Sequence, residues 1–164
     1  MAVRRWVWVV GGVAIVLAFL GIAAAIVGVG WVTSHTQVAA ATSASAADAF
    51  KAVHDEFGGQ PPLIEVRDDT PQVSDARAAR PPSTTRLTSF HVLVWAPRDD
   101  KLVRVELPFW LLRIKSAPIQ FGDYASGLGN TRITMTAEEL ERYGPGILLD
   151  LQPAKGERIL IWVK

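Results

Sequence analysis

Histidine and acidic side chains are the residues of this sequence that could bind a metal or transfer protons. The histidines are His35, His54 and His91, and none of them lies in an H-E-x-x-H pattern or a related spacing of zinc ligands. Two acidic pairs, Asp68-Asp69 and Asp99-Asp100, lack the alternating oxygen ligands and the glycine of a calcium-binding loop. Turn formation or solvation explains these acids better, so the sequence predicts neither a metal nor a cofactor.

Nucleophiles and phosphate-binding loops are not indicated either. The chain has no cysteine, which excludes a thiol nucleophile and a disulfide framework. Ser126 is not in a G-x-S-x-G turn, and Gly127-Leu128-Gly129 is not followed by the GK[ST] of a phosphate-binding loop. Folding could still bring two carboxylates together, as hydrolases require. The sequence nevertheless favours a non-enzymatic function with no catalytic residues.

A long apolar segment precedes all of these residues. Positions 6–32 form 27 consecutive residues without a charge or a proline, and a helix of that length spans about 40 Å, enough to cross a bilayer. Trp6, Trp8 and Trp31 lie at its two ends, where indole rings favour the membrane interface. A cleaved signal peptide is the alternative, but its apolar region is usually about 7–15 residues. The sequence therefore predicts an uncleaved transmembrane signal-anchor helix over 6–32.

Basic residues predict the orientation of this anchor. Arg4 and Arg5 precede the span, and the next basic residue is Lys51. The positive-inside rule places residues 1–5 in the cytoplasm and the C-terminal domain outside the cell membrane. Residues 33–164 carry 15 basic and 16 acidic groups, so a nucleic-acid partner is not expected.

Small residues recur along one face of the predicted span at spacings of three and four. Such a stripe allows two helices to approach closely in lipid. It predicts packing against a second copy of the chain or against another membrane helix, besides contact with the lipid bilayer. A chance register is the alternative, because glycine and alanine are common in membrane helices. The residues of the stripe are Gly11, Ala14, Ala18, Gly21, Ala25 and Gly28.

The rest of the chain divides into a stalk and one domain. Residues 33–47 are rich in serine, threonine and alanine, which predicts a stalk with some helical content. The segment 68–86 contains three prolines and many charges, and it predicts a mobile surface loop. Domain 48–164 is predicted to be α+β, a small mixed fold of about six strands and three short helices.

Hydrophobic periodicity and turn residues place these elements. Residues 90–96 are rich in β-branched and aromatic side chains, and 101–107 alternate between apolar and polar ones. With Pro97-Arg98-Asp99-Asp100 as the turn between them, they predict a β-hairpin. Thr136 and Glu139 have the spacing of a capping box at a helix start. The predicted strands are 62–67, 90–96, 101–107, 132–135, 147–151 and 158–163, and the predicted helices are 46–57, 108–115 and 136–143. Residues 116–130 are predicted to form a loop.

The apolar segment 109–114 permits two interpretations. It could dock on the bilayer beside the anchor, with Trp110 at the headgroups and the cations Arg113 and Lys115 on anionic lipid. It could instead be a short helix that covers one face of the preceding hairpin. We favour the second interpretation, because a small α+β domain must cover its sheet.

Three segments, PFWLLRIK (108–115), AEELERYGPGILLDL (137–151) and GERILIWV (156–163), resemble parts of small single-span bacterial membrane proteins of unknown function. The resemblance implies a bacterial cell-membrane setting and no particular activity. The favoured function is a membrane-anchored extracytoplasmic domain that binds a ligand or another protein. The alternatives are an accessory single-span subunit of a larger membrane complex and an uncharacterised envelope hydrolase.

Overall fold

A computed structural model describes residues 36–67, 70–114, 119–121, 133–152 and 156–164. Those residues form nine strands and four helices of an α+β fold. The strands are β1 (Thr36–Ala40), β2 (Ile64–Arg67), β3 (Thr70–Val73), β4 (Ser89–Ala96), β5 (Lys101–Pro108), β6 (Ile119–Phe121), β7 (Ile133–Met135), β8 (Gly146–Leu151) and β9 (Arg158–Val163). The helices are α1 (Ser43–Glu56), α2 (Asp75–Ala78), α3 (Trp110–Ile114) and α4 (Ala137–Tyr143). The α+β class is as predicted, with more strands than the six expected.

Seven of the strands form one mixed sheet in the order β1-β5-β4-β9-β8-β2-β3. Neighbouring strands are antiparallel, except that β2 runs parallel to β8. Strands β6 and β7 pair separately as an antiparallel ribbon. Strand β9 lies in the middle of the large sheet, between β4 and β8.

The predicted hairpin is confirmed as β4 and β5. Its register joins Ser89 to Pro108 at one end and Ala96 to Lys101 at the other. Asp100 has a φ of 48° in the connecting turn, a conformation that aspartate tolerates better than most residues. Val103 and Val105 point together into the core, as strand alternation requires.

The sheet is covered on both faces. On one face α1 contributes Ala46, Phe50 and Val53, which pack with Trp95 and Trp162. The opposite face packs under α3, α4 and the β6-β7 ribbon. Its buried residues include Phe90, Val105, Leu107, Phe109, Leu111, Leu112, Met135, Leu140 and Val163. Apolar residues on both sides of β4 and β9 therefore bury both faces of the central strands.

The structure differs from the predicted stalk. Residues 36–40 of the segment 33–47 form strand β1, which pairs with β5 at the edge of the sheet. Helix α1 begins at Ser43, where Thr42 and Ser45 form a capping box. The side chains of β1 are mostly exposed, because an edge strand is held mainly by its backbone hydrogen bonds. The folded domain thus begins by Thr36.

The predicted loop 68–86 also contains regular structure. Strand β3 pairs with β2 at the other edge of the sheet, where Pro71 is tolerated. Helix α2 follows, and it buries Arg77. Residues 119–121, within the segment 116–130 that was predicted to be a loop, form strand β6 and pair with β7.

Helix α3 covers the hairpin, as predicted. Phe109 is 0% exposed, Leu111 8% and Leu112 5%, all within the core. Trp110 is 45% exposed and Ile114 64%, so the other side of this helix lies on the surface of the domain. The predicted capping box of α4 is also present, with Glu139 bonded to the backbone of Thr136.

The predicted transmembrane segment 6–32 lies outside the residues that the structure describes. Its interface residues, its orienting arginines and its small-residue stripe lie outside them as well. Among the described residues, no helix is long and apolar enough to span a membrane.

Candidate functional site

A polar groove lies at the end of the sheet where β5 ends and β4 begins. The segment 82–86 forms one wall, and α3 and α4 form the other. The backbone N–H of Ser83 donates to the carbonyl of Arg142 at 2.8 Å, which ties the two walls together. Gly144 permits this approach, since a Cβ at that position would lie 2.5 Å from Ser83 Oγ and its φ is +75°.

The groove has a volume of about 510 Å³ and a lining made largely of hydroxyl and charged groups. Three arginines face two glutamates, so the site has a small basic excess. The lining residues are Pro82, Ser83, Thr84, Thr85, Arg86, Arg113, Glu138, Glu141 and Arg142. Hydroxyls and guanidinium groups are donors suited to a phosphate or carboxylate.

Arg113 is the most constrained of the three arginines. Its guanidinium donates to the carbonyl of Leu87 at 3.3 Å and forms an ion pair with Glu141. It also lies 5.3 Å from the centre of the Phe109 ring, within range of a cation–π interaction. Arg86 and Arg142 are both exposed along the groove and are available to a ligand. Arg113 therefore links α3 to Leu87 and to Glu141 of α4, which fixes the groove wall formed by these helices. Arg86 and Arg142 supply the guanidinium donors that a ligand can use.

A second polar cluster joins α1 to β8 and β9. Arg158 donates to both carboxylate oxygens of Asp150, at 3.2 Å from Nε and 2.9 Å from Nη2. His54 Nε2 lies 2.8 Å from Asp150 Oδ2, and the guanidinium carbon of Arg158 lies 4.5 Å from the centre of the Phe50 ring. Because both oxygens of the carboxylate are engaged, the cluster acts as a cross-link between helix and sheet.

His91 is a buried titratable group on the α1 face of the sheet. Its ring stacks on Trp162 with a centroid distance of 4.9 Å and an angle of 6°. Its Nε2 lies 2.8 Å from Ser89 Oγ, and its Nδ1 lies 4.0 Å from Glu106. Burial lowers the pKa of His91 below its ordinary value of 6.5, against the opposing effect of Glu106 and with a smaller contribution from Lys164.

This lowered pKa predicts a loss of stability in acid. Below about pH 6.5 the unfolded chain binds a proton that folded His91 does not, so stability should fall by up to about 1.4 kcal/mol per pH unit. The His91→Phe variant keeps the stacking on Trp162 and cannot titrate. Urea unfolding of both proteins from about pH 8 to about pH 5 should therefore show a shallower acid loss in the variant. Parallel stability profiles would contradict this role for His91.

Arg77 is an unusual member of the core. It is 1% exposed, and all three guanidinium nitrogens are buried without a hydrogen-bond partner in the part of the chain that the structure describes. Burial, with a contribution from Arg80, lowers its pKa. The guanidinium packs against Gly146, whose φ is +154° and whose Cβ, if present, would lie 2.5 Å from Nη1. An uncompensated buried charge is costly to the folded state.

The groove was not predicted from the sequence. The sequence gives Arg113 a role only in the less favoured interpretation, as a contact to anionic lipid. Its groove partners are about 30 residues to either side, and sequence spacing alone does not bring them together. The same holds for His54, whose partners Asp150 and Arg158 are 96 and 104 residues away. The Ser-Thr-Thr-Arg run after two prolines is the signal that could have marked one wall.

Comparison with known proteins leaves the groove as the main guide to function. No family model matches the chain, and no curated protein or solved structure is significantly similar to it.

Proposed function

We propose that this chain is a single-pass membrane protein whose extracytoplasmic domain is a non-catalytic binding module, with the groove between 82–86, α3 and α4 as its ligand site. The observation that carries this proposal is the convergence of Arg86, Arg142 and three hydroxyl side chains on one groove of about 510 Å³. Binding sites combine such a concavity with a few positioned polar groups.

The membrane placement is supported by the sequence. The 27 uncharged residues of 6–32 suit a transmembrane helix. Arg4 and Arg5 favour an N-terminus in the cytoplasm, which puts the folded domain on the other side of the membrane. The resemblance of three segments to single-span bacterial proteins agrees with this setting.

Binding rather than catalysis is supported by the pairing of the ionisable groups. His54 and Asp150 are engaged with Arg158, and Arg113 is engaged with Glu141. Within the described ranges, no group of three or more histidine, aspartate or glutamate side chains is placed to hold a metal. Arg86 and Arg142 line the groove, and their guanidinium groups suit an anionic ligand group such as a phosphate or a carboxylate.

Inorganic phosphate provides a direct test of this proposal. Titration of the full chain in detergent micelles, at constant ionic strength, should shift the backbone amide resonances of residues 83–86 in a saturable way. Arg142→Gln should weaken the binding about fivefold, equivalent to about 1 kcal/mol, because one charge-assisted hydrogen bond is lost. Arg98→Gln, in the hairpin turn at the opposite end of the sheet, is the matched control.

Two results would count against the proposal. One is the absence of saturable shifts at 83–86 in the parent chain. The other is an equal weakening by Arg98→Gln and Arg142→Gln, which would reduce the effect to general charge screening.

A further inference from the structure

We infer that the groove end of the domain docks on the bilayer, with Trp110 and Ile114 of α3 inserted among the lipid headgroups. This inference deepens the proposed function and depends on the membrane anchor at 6–32. The occupant of this surface is the membrane itself.

Strand register places the start of β1, helix α3 and helix α4 at one end of the sheet. Thr36, where β1 begins, pairs with Val105, only three residues before β5 ends at Pro108. Helix α3 follows immediately, so the chain enters the domain at the end where α3 lies. Helix α4 lies there as well. It ends just before Gly146, at the start of β8. Gly146 pairs with Val163 at the end of β9, and Val163 also pairs with Phe90 near the start of β4.

The connection between the anchor and this end is short. The predicted span ends at Val32, and β1 begins at Thr36, so four residue steps separate them. A chain covers at most about 3.6 Å per residue, so the connection reaches at most about 14 Å. With residues 36–40 folded into the sheet there is no long stalk, and this end of the domain must remain near the membrane surface.

Helix α3 presents an apolar surface at that end. Trp110 and Ile114 are four residues apart on one side of the helix, and they are 45% and 64% exposed. Leu111 and Leu112 hold the other side in the core, so the exposed pair is carried on a fixed support. Indole and aliphatic side chains in this arrangement favour the membrane interface.

The charges beside this surface suit anionic lipid. Arg113 lies between Trp110 and Ile114 in sequence, and the groove next to α3 adds Arg86 and Arg142. Glu138 and Glu141 oppose them, which leaves one basic group in excess. Basic groups near an anionic bilayer add to the attraction that apolar insertion provides.

Thiol reactivity can test this docking, because the chain has no cysteine and a single one can be introduced. Ile114→Cys reports on the proposed contact, and Arg98→Cys reports on the opposite end of the sheet. Both full-length variants are reconstituted in vesicles of phosphatidylcholine and phosphatidylglycerol and treated with a charged maleimide. The reaction at position 114 should be about tenfold slower than at 98, a factor that corresponds to about 1.4 kcal/mol.

A second variant separates lipid contact from local shielding. Adding Trp110→Gln to Ile114→Cys removes the inserted indole while leaving the buried leucines in place, so the reaction at 114 should approach the rate at 98. Slow reaction in both backgrounds would overturn the docking, because the thiol would then be shielded by the domain itself. Equal rates at 114 and 98 in the parent background would overturn it directly.

The same vesicle preparations test the docking of α3 separately from the membrane anchor at 6–32. Vesicle flotation reports whether the chain stays bound to the vesicles. A chain that stays bound but has a freely reactive position 114 overturns the docking alone. A chain that leaves the vesicles overturns both the docking and the anchor. Labelling of Arg98→Cys in intact bacterial spheroplasts reports on orientation. Reaction there supports the extracytoplasmic placement, and reaction only after lysis would move the docking to the cytoplasmic surface and overturn the proposed placement.

Discussion

Replacing Leu112 by alanine is expected to lower the free energy of unfolding by about 2–5 kcal/mol. Leu112 is 5% exposed and lies in the large core cluster beneath α3. Truncation removes its buried methyl groups and leaves a cavity that the surrounding strands fill only partly. Urea unfolding of the full chain in detergent micelles, followed by tryptophan fluorescence, measures the change.

Ile114→Ala is the matched control for this experiment. Ile114 belongs to the same helix and carries a side chain of the same size, but it is 64% exposed. We expect its truncation to change stability by less than about 0.5 kcal/mol. Equal losses for the two variants would contradict the assignment of one side of α3 to the core and the other to an external surface.

Replacing Arg77 by methionine is expected to raise the free energy of unfolding by about 1–4 kcal/mol. The aliphatic part of Arg77 fills its site, and methionine has a similar length and flexibility. The buried guanidinium has no hydrogen-bond partner among the described residues, so its removal relieves a desolvation cost without breaking a bond. Most single substitutions destabilise a protein, so a gain in stability would be decisive for this interpretation.

The neighbouring Arg80 supplies the control for this second variant. Arg80 is exposed, and Arg80→Met should leave the stability within about 0.5 kcal/mol of the parent. A marked loss of stability in Arg77→Met would show that the guanidinium is paired in the folded chain, and it would contradict the idea that burial of this charge destabilises the domain.

Elements with strong local signals were predicted correctly from the sequence. The β4-β5 hairpin combines a β-branched and aromatic first strand and an alternating second strand with a Pro-Arg-Asp-Asp turn. Helix α4 has both a capping box and a terminating Gly144. The apolar run at 109–114 was correctly assigned to a cover for the hairpin. In each case propensity, pattern and turn chemistry favour the same structure.

Elements stabilised by distant partners were missed. Strand β1 has an alanine-rich sequence and four exposed residues, so neither composition nor alternation marks it, and its pairing with β5 decides its conformation. Strand β3 contains Pro71 and lies at the opposite edge. The groove was missed for the same reason, because its walls are joined by contacts such as Ser83 to Arg142 that only the tertiary fold creates.

The central position of β9 determines when the domain can fold during synthesis. Every other described strand precedes β9 along the chain, yet β9 alone joins the β1-β5-β4 part of the sheet to the β8-β2-β3 part. Until Arg158–Val163 emerge, β4 and β8 each present an unpaired edge, and unpaired edges favour aggregation. The nascent domain must therefore remain incompletely folded until that strand is available to both parts of the sheet, so the pairing of β9 with β4 and β8 is the step that completes the fold.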